Sequence, residues 1–118
     1  VADRYAVGLS DLVKTPTVLK DGVSVWAQYT IEVANTVQGG RDELGLALRE
    51  QGVPTAVYYP IPIHRQGVYS GYPVAPAGLP VTEAKAGNVI SLPMHPYLTE
   101  DDQDQIIAAI RAFVKRNR

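Results

Sequence analysis

"VWAQYTIEV", residues 25–33, decides the architecture. Val25, Ala27, Tyr29, Ile31 and Val33 fall on one side of an extended chain, while Trp26, Gln28, Thr30 and Glu32 fall on the other. Side chains alternate faces along a strand, so the pattern predicts a strand over 25–33 with one buried and one partly wet face. That is the signature of an antiparallel or mixed sheet. A doubly wound parallel sheet would need apolar residues on both faces.

Upstream, Ala2, Tyr5, Ala6, Leu9, Leu12 and Val13 repeat at helical spacing from the first residues of "VADRYAVGLSDLV". No capping residue precedes them. The expectation is a helix entered midway, in a chain cut from a longer one, with a trimmed free-standing domain as the alternative. A polar connector with Pro16 and Asp21-Gly22 leads from it to the strand.

Downstream, Gly39-Gly40 closes the strand unit. A helix follows with Leu44, Ala47 and Leu48 on one face and Gly52 as its stop. "VPTAVYY", residues 53–59, reads as a second strand, and its near-continuous apolar run predicts burial on both faces. Residues 60–80 hold five of the nine prolines and three glycines, which marks a long ordered loop. A short helix around "TEAKAGN", a brief strand "VISLP" and a final helix complete the order. Thr99 should cap that last helix, with Glu100, Asp101, Asp102 and Asp104 in its first turns and Ile106, Ile107, Ile110, Phe113 and Val114 facing the core. The class is α+β: one domain over residues 1–118, a small mixed or antiparallel sheet with helices packed on one face.

Composition narrows the function. A net charge of −1 gives no basis for binding nucleic acid or an anionic membrane, and the absence of cysteine removes disulfides and thiolate metal sites. No apolar run approaches the roughly 18–20 residues that cross a bilayer, and a cytoplasmic location is the expectation. No Walker lysine, GxGxxG frame, GxSxG elbow or HExxH helix is present.

The chemistry-bearing stretch is "YYPIPIHRQGVY", residues 58–69. Pro60 and Pro62 fix their own φ and push Tyr59 and Ile61 into extended geometry, so a stiff segment leaves the second strand's end. Tyr58, Tyr59 and Tyr69 offer flat amphipathic surfaces, His64 two ring nitrogens, and Gln66 both a donor and an acceptor. That set suits a polyhydroxylated or ring-bearing ligand. It equally suits a histidine that caps a loop carbonyl beside packed tyrosines. Arg65 either faces a phosphate or is solvated, and His95, between Pro93 and Pro96, reads as a turn histidine packed on the last helix. The two histidines could converge in space, but two ligands without carboxylates at matching spacing make a weak case for a metal, and none is expected.

At "GVPTAVYYPIPIHRQGVY" and "LPVTEAKAGNVISLPMHPYLTEDD" the sequence resembles the DegT/DnrJ/StrS family of sugar aminotransferases, pyridoxal 5'-phosphate (PLP) enzymes of fold type I. The likeness covers essentially the whole chain and implies the carboxy-terminal small domain of a longer enzyme. It is nearest the branch acting on 3-keto UDP-N-acetylhexosamine derivatives, such as UDP-2-acetamido-3-oxo-glucuronate, in lipopolysaccharide and O-antigen synthesis. The resemblance implies that Tyr59 and His64, with Tyr58 and Gln66 beside them, hold the sugar nucleotide, and that no catalytic base lies in this chain. Tyr58 stands where many members carry histidine, which removes a possible acid–base group, and Gly67 stands where proline is usual. It also implies that the lysine anchoring PLP, its aspartate partner and the phosphate cradle belong to a large domain outside this chain. None of Lys14, Lys20, Lys85 or Lys115 has the serine-rich surroundings of that lysine. The 118 residues alone should therefore bind no PLP and turn nothing over, while the intact enzyme, a homodimer, would move an amino group from glutamate to a UDP-sugar. A non-catalytic α+β module, binding a ligand or a protein through its open sheet face, is the alternative reading.

Overall fold

The computed structural model describes residues Val1–Arg118. Four helices and two strands follow in the order α1 (Ala2–Leu9), β1 (Tyr29–Glu32), α2 (Gly40–Glu50), α3 (Pro80–Asn88), β2 (Val89–Leu92) and α4 (Glu100–Arg116). Short 3-10 turns at Ile63–Arg65 and Gly67–Tyr69 interrupt the long loop before α3.

β1 and β2 pair antiparallel, with Tyr29 opposite Leu92 and Ile31 opposite Ile90. Lys14 exchanges both backbone hydrogen bonds with Glu32 on the outer side of β1, and Ala56 does the same with Ser91 on the outer side of β2. The sheet thus runs Lys14, β1, β2, Ala56 with every pairing antiparallel. Tyr29, Ile31, Ile90 and Leu92 enter one core with Tyr5 and Leu9 of α1, Leu44 and Leu48 of α2, and Ile106, Ile110, Phe113 and Val114 of α4. The opposite face carries Thr30 and Ser91, whose hydroxyls lie 2.8 Å apart, and Glu32. This is the α+β layer that the alternation in β1 predicts.

Side-chain chemistry sets the helix positions. Thr99 accepts from the Asp102 amide at 3.1 Å while the Asp102 carboxylate accepts from the Thr99 amide at 3.3 Å, a reciprocal capping box that fixes where α4 begins. Gly8 lets α1 approach α4 closely, because a Cβ there would fall 2.8 Å from Cδ1 of Ile107. Arg4 holds Asp104, and Arg111 reaches both the Asp11 carboxylate and the Gly8 carbonyl. Arg118 donates to the Leu12 carbonyl at 2.9 Å. Arg111 of α4 and Arg118 just beyond it are therefore fastened to residues 8–12, where α1 ends. Gly39 and Gly40 both adopt positive φ (80° and 56°), which lets the chain turn directly into α2.

Two strand expectations need correction. The strand predicted over 25–33 shrinks to Tyr29–Glu32 because Trp26 turns the chain at a φ of 50°. Val25 is consequently 93% exposed, whereas Tyr29, Ile31 and Val33 are buried as the alternation requires. The predicted second strand, 53–59, makes a single bridge at Ala56. It is an edge, not a centre: Val53 is buried, but Tyr58 and Tyr59 are exposed. Its apolar run reflects a surface left open, since no further strand covers its outer side.

Candidate functional site

After the Ala56 bridge the chain leaves the sheet and runs as an arm, residues 57–79, back to α3. Pro60 and Pro62 stiffen its first part by fixing φ and holding the residues before them extended. The arm and α3 enclose a cleft of about 370 Å³ lined by Tyr58, Tyr59, Ile61, Ile63, Val81 and Lys85, among others. A second cleft, about 350 Å³, lies across β2 and includes Gln28, Thr55, Tyr58, Ser91, Met94 and His95. Tyr58 borders both clefts. Its ring meets that of Tyr59 edge to face, with centroids 5.8 Å apart, so the two phenols form one angled aromatic wall. Tyr59 is 71% exposed and Tyr58 49%, a large apolar and hydrogen-bonding surface without a partner inside the chain.

His64 and Gln66 lie differently. The His64 side chain is only 12% exposed, and its Nε2 lies 2.9 Å from Oε1 of Glu83 on α3. A carboxylate has no proton to give, so Nε2 carries the hydrogen and donates it. Arg65 donates from Nε and Nη2 to the same oxygen, at 3.0 and 2.8 Å. These donors hold the Glu83 carboxyl below the ordinary carboxylate range, the His64 hydrogen bond first and the Arg65 bonds second. Gln66 donates to the Ile61 carbonyl at 3.2 Å and closes the turn. Of the four residues singled out in the sequence, Tyr58 and Tyr59 border the clefts, while His64 and Gln66 sit within the arm and brace it. Arg65 is spent on Glu83. His95 is exposed, at the rim of the second cleft.

Sequence reasoning missed Glu83 and Lys85. An acidic residue in the first turn of a short helix reads as ordinary dipole compensation, and nothing local marks Glu83 as the partner of residues 18 and 19 positions earlier. Lys85 faces the first cleft and is bound to Glu32, whose carboxyl it pulls below the usual range together with Lys14.

The residues present do not fit a PLP site. A lysine that holds PLP needs a free amine beside a phosphate cradle and an electronic partner for the ring nitrogen. Lys85 and Lys14 are paired with Glu32, Lys20 is exposed in the connector, and Lys115 lies exposed near the carboxy-terminal end of α4. No three metal-ligating side chains come together, and no helix is long and apolar enough to cross a membrane.

A model of the DegT/DnrJ/EryC1/StrS aminotransferase family matches residues 1–111. The chain is 40% identical over 110 residues to a pleiotropic regulatory protein of Geobacillus stearothermophilus, covering 93% of this chain and 28% of that protein. It is 39% identical over 111 residues to the UDP-2-acetamido-2-deoxy-3-oxo-D-glucuronate aminotransferase of Pseudomonas aeruginosa, covering 93% of this chain and 29% of that protein. A solved DegT DnrJ EryC1 StrS aminotransferase from Brucella abortus superposes with a TM-score of 0.86 at 47% identity, covering 96% of this chain and 29% of that one. The chain spans less than a third of the length of these relatives.

Proposed function

Because the chain belongs to the DegT/DnrJ/EryC1/StrS aminotransferase family, we propose that it is the carboxy-terminal small domain of a sugar-nucleotide aminotransferase, supplying one wall of the cleft where the keto-sugar nucleotide binds. One observation carries this reading: an exposed pair of tyrosines, held at a sheet edge by a proline-stiffened arm, borders a cleft in a chain whose own lysines offer no place for the cofactor. Such a surface stacks on and hydrogen-bonds to a sugar ring or a base, and the work of amine transfer falls to a large domain. PLP, when bound there, would supply the electron sink for moving the amino group.

In the intact enzyme the donor is glutamate and the acceptor a UDP-linked 3-keto-hexosamine or its uronate, in a cytoplasmic homodimer serving lipopolysaccharide and O-antigen synthesis. Tyr59 and Tyr58 contact the nucleotide sugar directly. His64 and Gln66 act from behind, by setting the arm's course. The test incubates the full-length protein with PLP, glutamate and a UDP-3-keto-N-acetylhexosamine. The reading predicts release of 2-oxoglutarate and a new amino-sugar mass. Absence of both, with the protein folded and PLP-loaded, contradicts it and returns the chain to the class of non-catalytic modules.

A further inference from the structure

Glu83 is the only residue outside the arm to which the arm is hydrogen-bonded. Within residues 57–78 the backbone bonds are all local: Arg65 to Pro62, Gln66 to Ile63, Tyr69 to Gln66, Ser70 to Gly67, Tyr72 to Tyr69 and Gly78 to Ala75. The side-chain bonds of Gln66 and Ser70 also stay inside the arm. The side-chain bonds that leave it come from His64 and Arg65 and all end on one oxygen of Glu83, whose amide also donates to the carbonyl of Leu79, the arm's last residue, at 3.0 Å.

We propose that Glu83 is a positioning residue: it clamps the His64–Arg65 turn against α3 and thereby sets the angle of the Tyr58–Tyr59 wall and the width of the cleft. The inference rests on the reading of that cleft as the sugar-nucleotide site. Two features make one carboxylate sufficient. The four residues between Tyr59 and His64 include Pro60 and Pro62, so a fixed His64 propagates into a fixed Tyr59 instead of being absorbed by soft dihedrals. Glu83 also shares α3 with Val81, Thr82, Lys85 and Ala86, which line the opposite side of the cleft. Clamping the turn therefore joins the two walls to each other. The charge-assisted geometry adds direction, because the planar Arg65 guanidinium and the His64 ring approach the same oxygen from different residues.

The experiment compares the full-length protein with Glu83→Ala and Glu83→Asp by hydrogen–deuterium exchange and steady-state kinetics. In Glu83→Ala, amides of residues 63–72 should exchange about tenfold faster while those of α1 and α4 keep their rates. The KM for the nucleotide sugar should rise about tenfold, with kcat within about twofold and the KM for glutamate unchanged. Glu83→Asp, which keeps the charge on a shorter stem, should fall between wild type and Glu83→Ala in both. Unchanged exchange in the arm overturns the clamp whatever the kinetics show. Faster exchange in the arm with an unmoved nucleotide-sugar KM upholds the clamp and refutes the cleft as the sugar site, so the two failures are separable.

Discussion

The helical layer and the arm use similar residues and hold them in opposite ways. In the layer, Leu9, Leu44, Leu48, Ile110 and Val114 are fully enclosed, and α1 with the turn after it is tied to α4 and the residues after it at Arg4–Asp104, Arg111–Asp11 and Arg118–Leu12. In the arm, Ile61, Ile63, Val68, Tyr69 and Tyr72 stand in solvent, and one carboxylate supplies the outward side-chain ties. The radius of gyration records the contrast: 15.6 Å against about 13.5 Å for a compact chain of this length. Apolar residues that pack on each other build the fold. Apolar residues held outward by a stiff backbone are placed for something else to cover.

Mutations should fall into two groups if that distinction is right. Ile110→Ala removes a fully buried side chain from the centre of the layer and should cost about 2–5 kcal/mol in urea unfolding. A comparable loss from Ile61→Ala in the arm would break the comparison. Thr99→Ala deletes the capping-box hydroxyl of α4 and should cost about 1 kcal/mol, read as a lowered urea midpoint at constant slope.

Acid sharpens the contrast further. Asp11, Asp102 and Asp104 around the helical layer, Glu32 on the open sheet face and Glu83 on α3, where it holds the arm, all lie below their ordinary values of 3.8 or 4.5 because of hydrogen-bonded partners. A carboxyl with a depressed folded value stabilises fully above its unfolded value, and its contribution is lost as pH falls through the folded one. Thermal stability should thus hold from pH 7 to pH 5 and decline below about pH 4. The layer should soften gradually there, since several groups share the load, while nuclear magnetic resonance order parameters of residues 63–72 should drop with Glu83 alone. The smallest effect belongs to Tyr59→Ala, which should move folding stability by less than about 0.5 kcal/mol because the ring is exposed.

Periodicity made the layer legible. The helical repeat of α1, the alternation at Tyr29, Ile31 and Val33, and the Thr99 cap each follow from short-range rules, and the buried set matches them. The same rules overran at Trp26, where a positive φ ends an alternation that the side chains alone would continue. They misread residues 53–59 because an apolar run looks alike whether it is sandwiched or left as an edge. In the site, the tyrosines and prolines were legible as a stiff aromatic wall. Their bracing was not, because the His64–Glu83 and Arg65–Glu83 contacts join residues that share no local pattern.

The central claim is that the arm's exposed tyrosines meet a nucleotide sugar while the amine chemistry resides in another domain. Its most direct test is the full-length protein with Tyr58→Ala and Tyr59→Ala together, assayed in the two half-reactions separately. The account predicts an unchanged glutamate half-reaction and PLP absorbance, with a KM for the UDP-keto-sugar raised about tenfold or more. A loss of the glutamate half-reaction, or a sugar KM equal to that of the wild type, would contradict it.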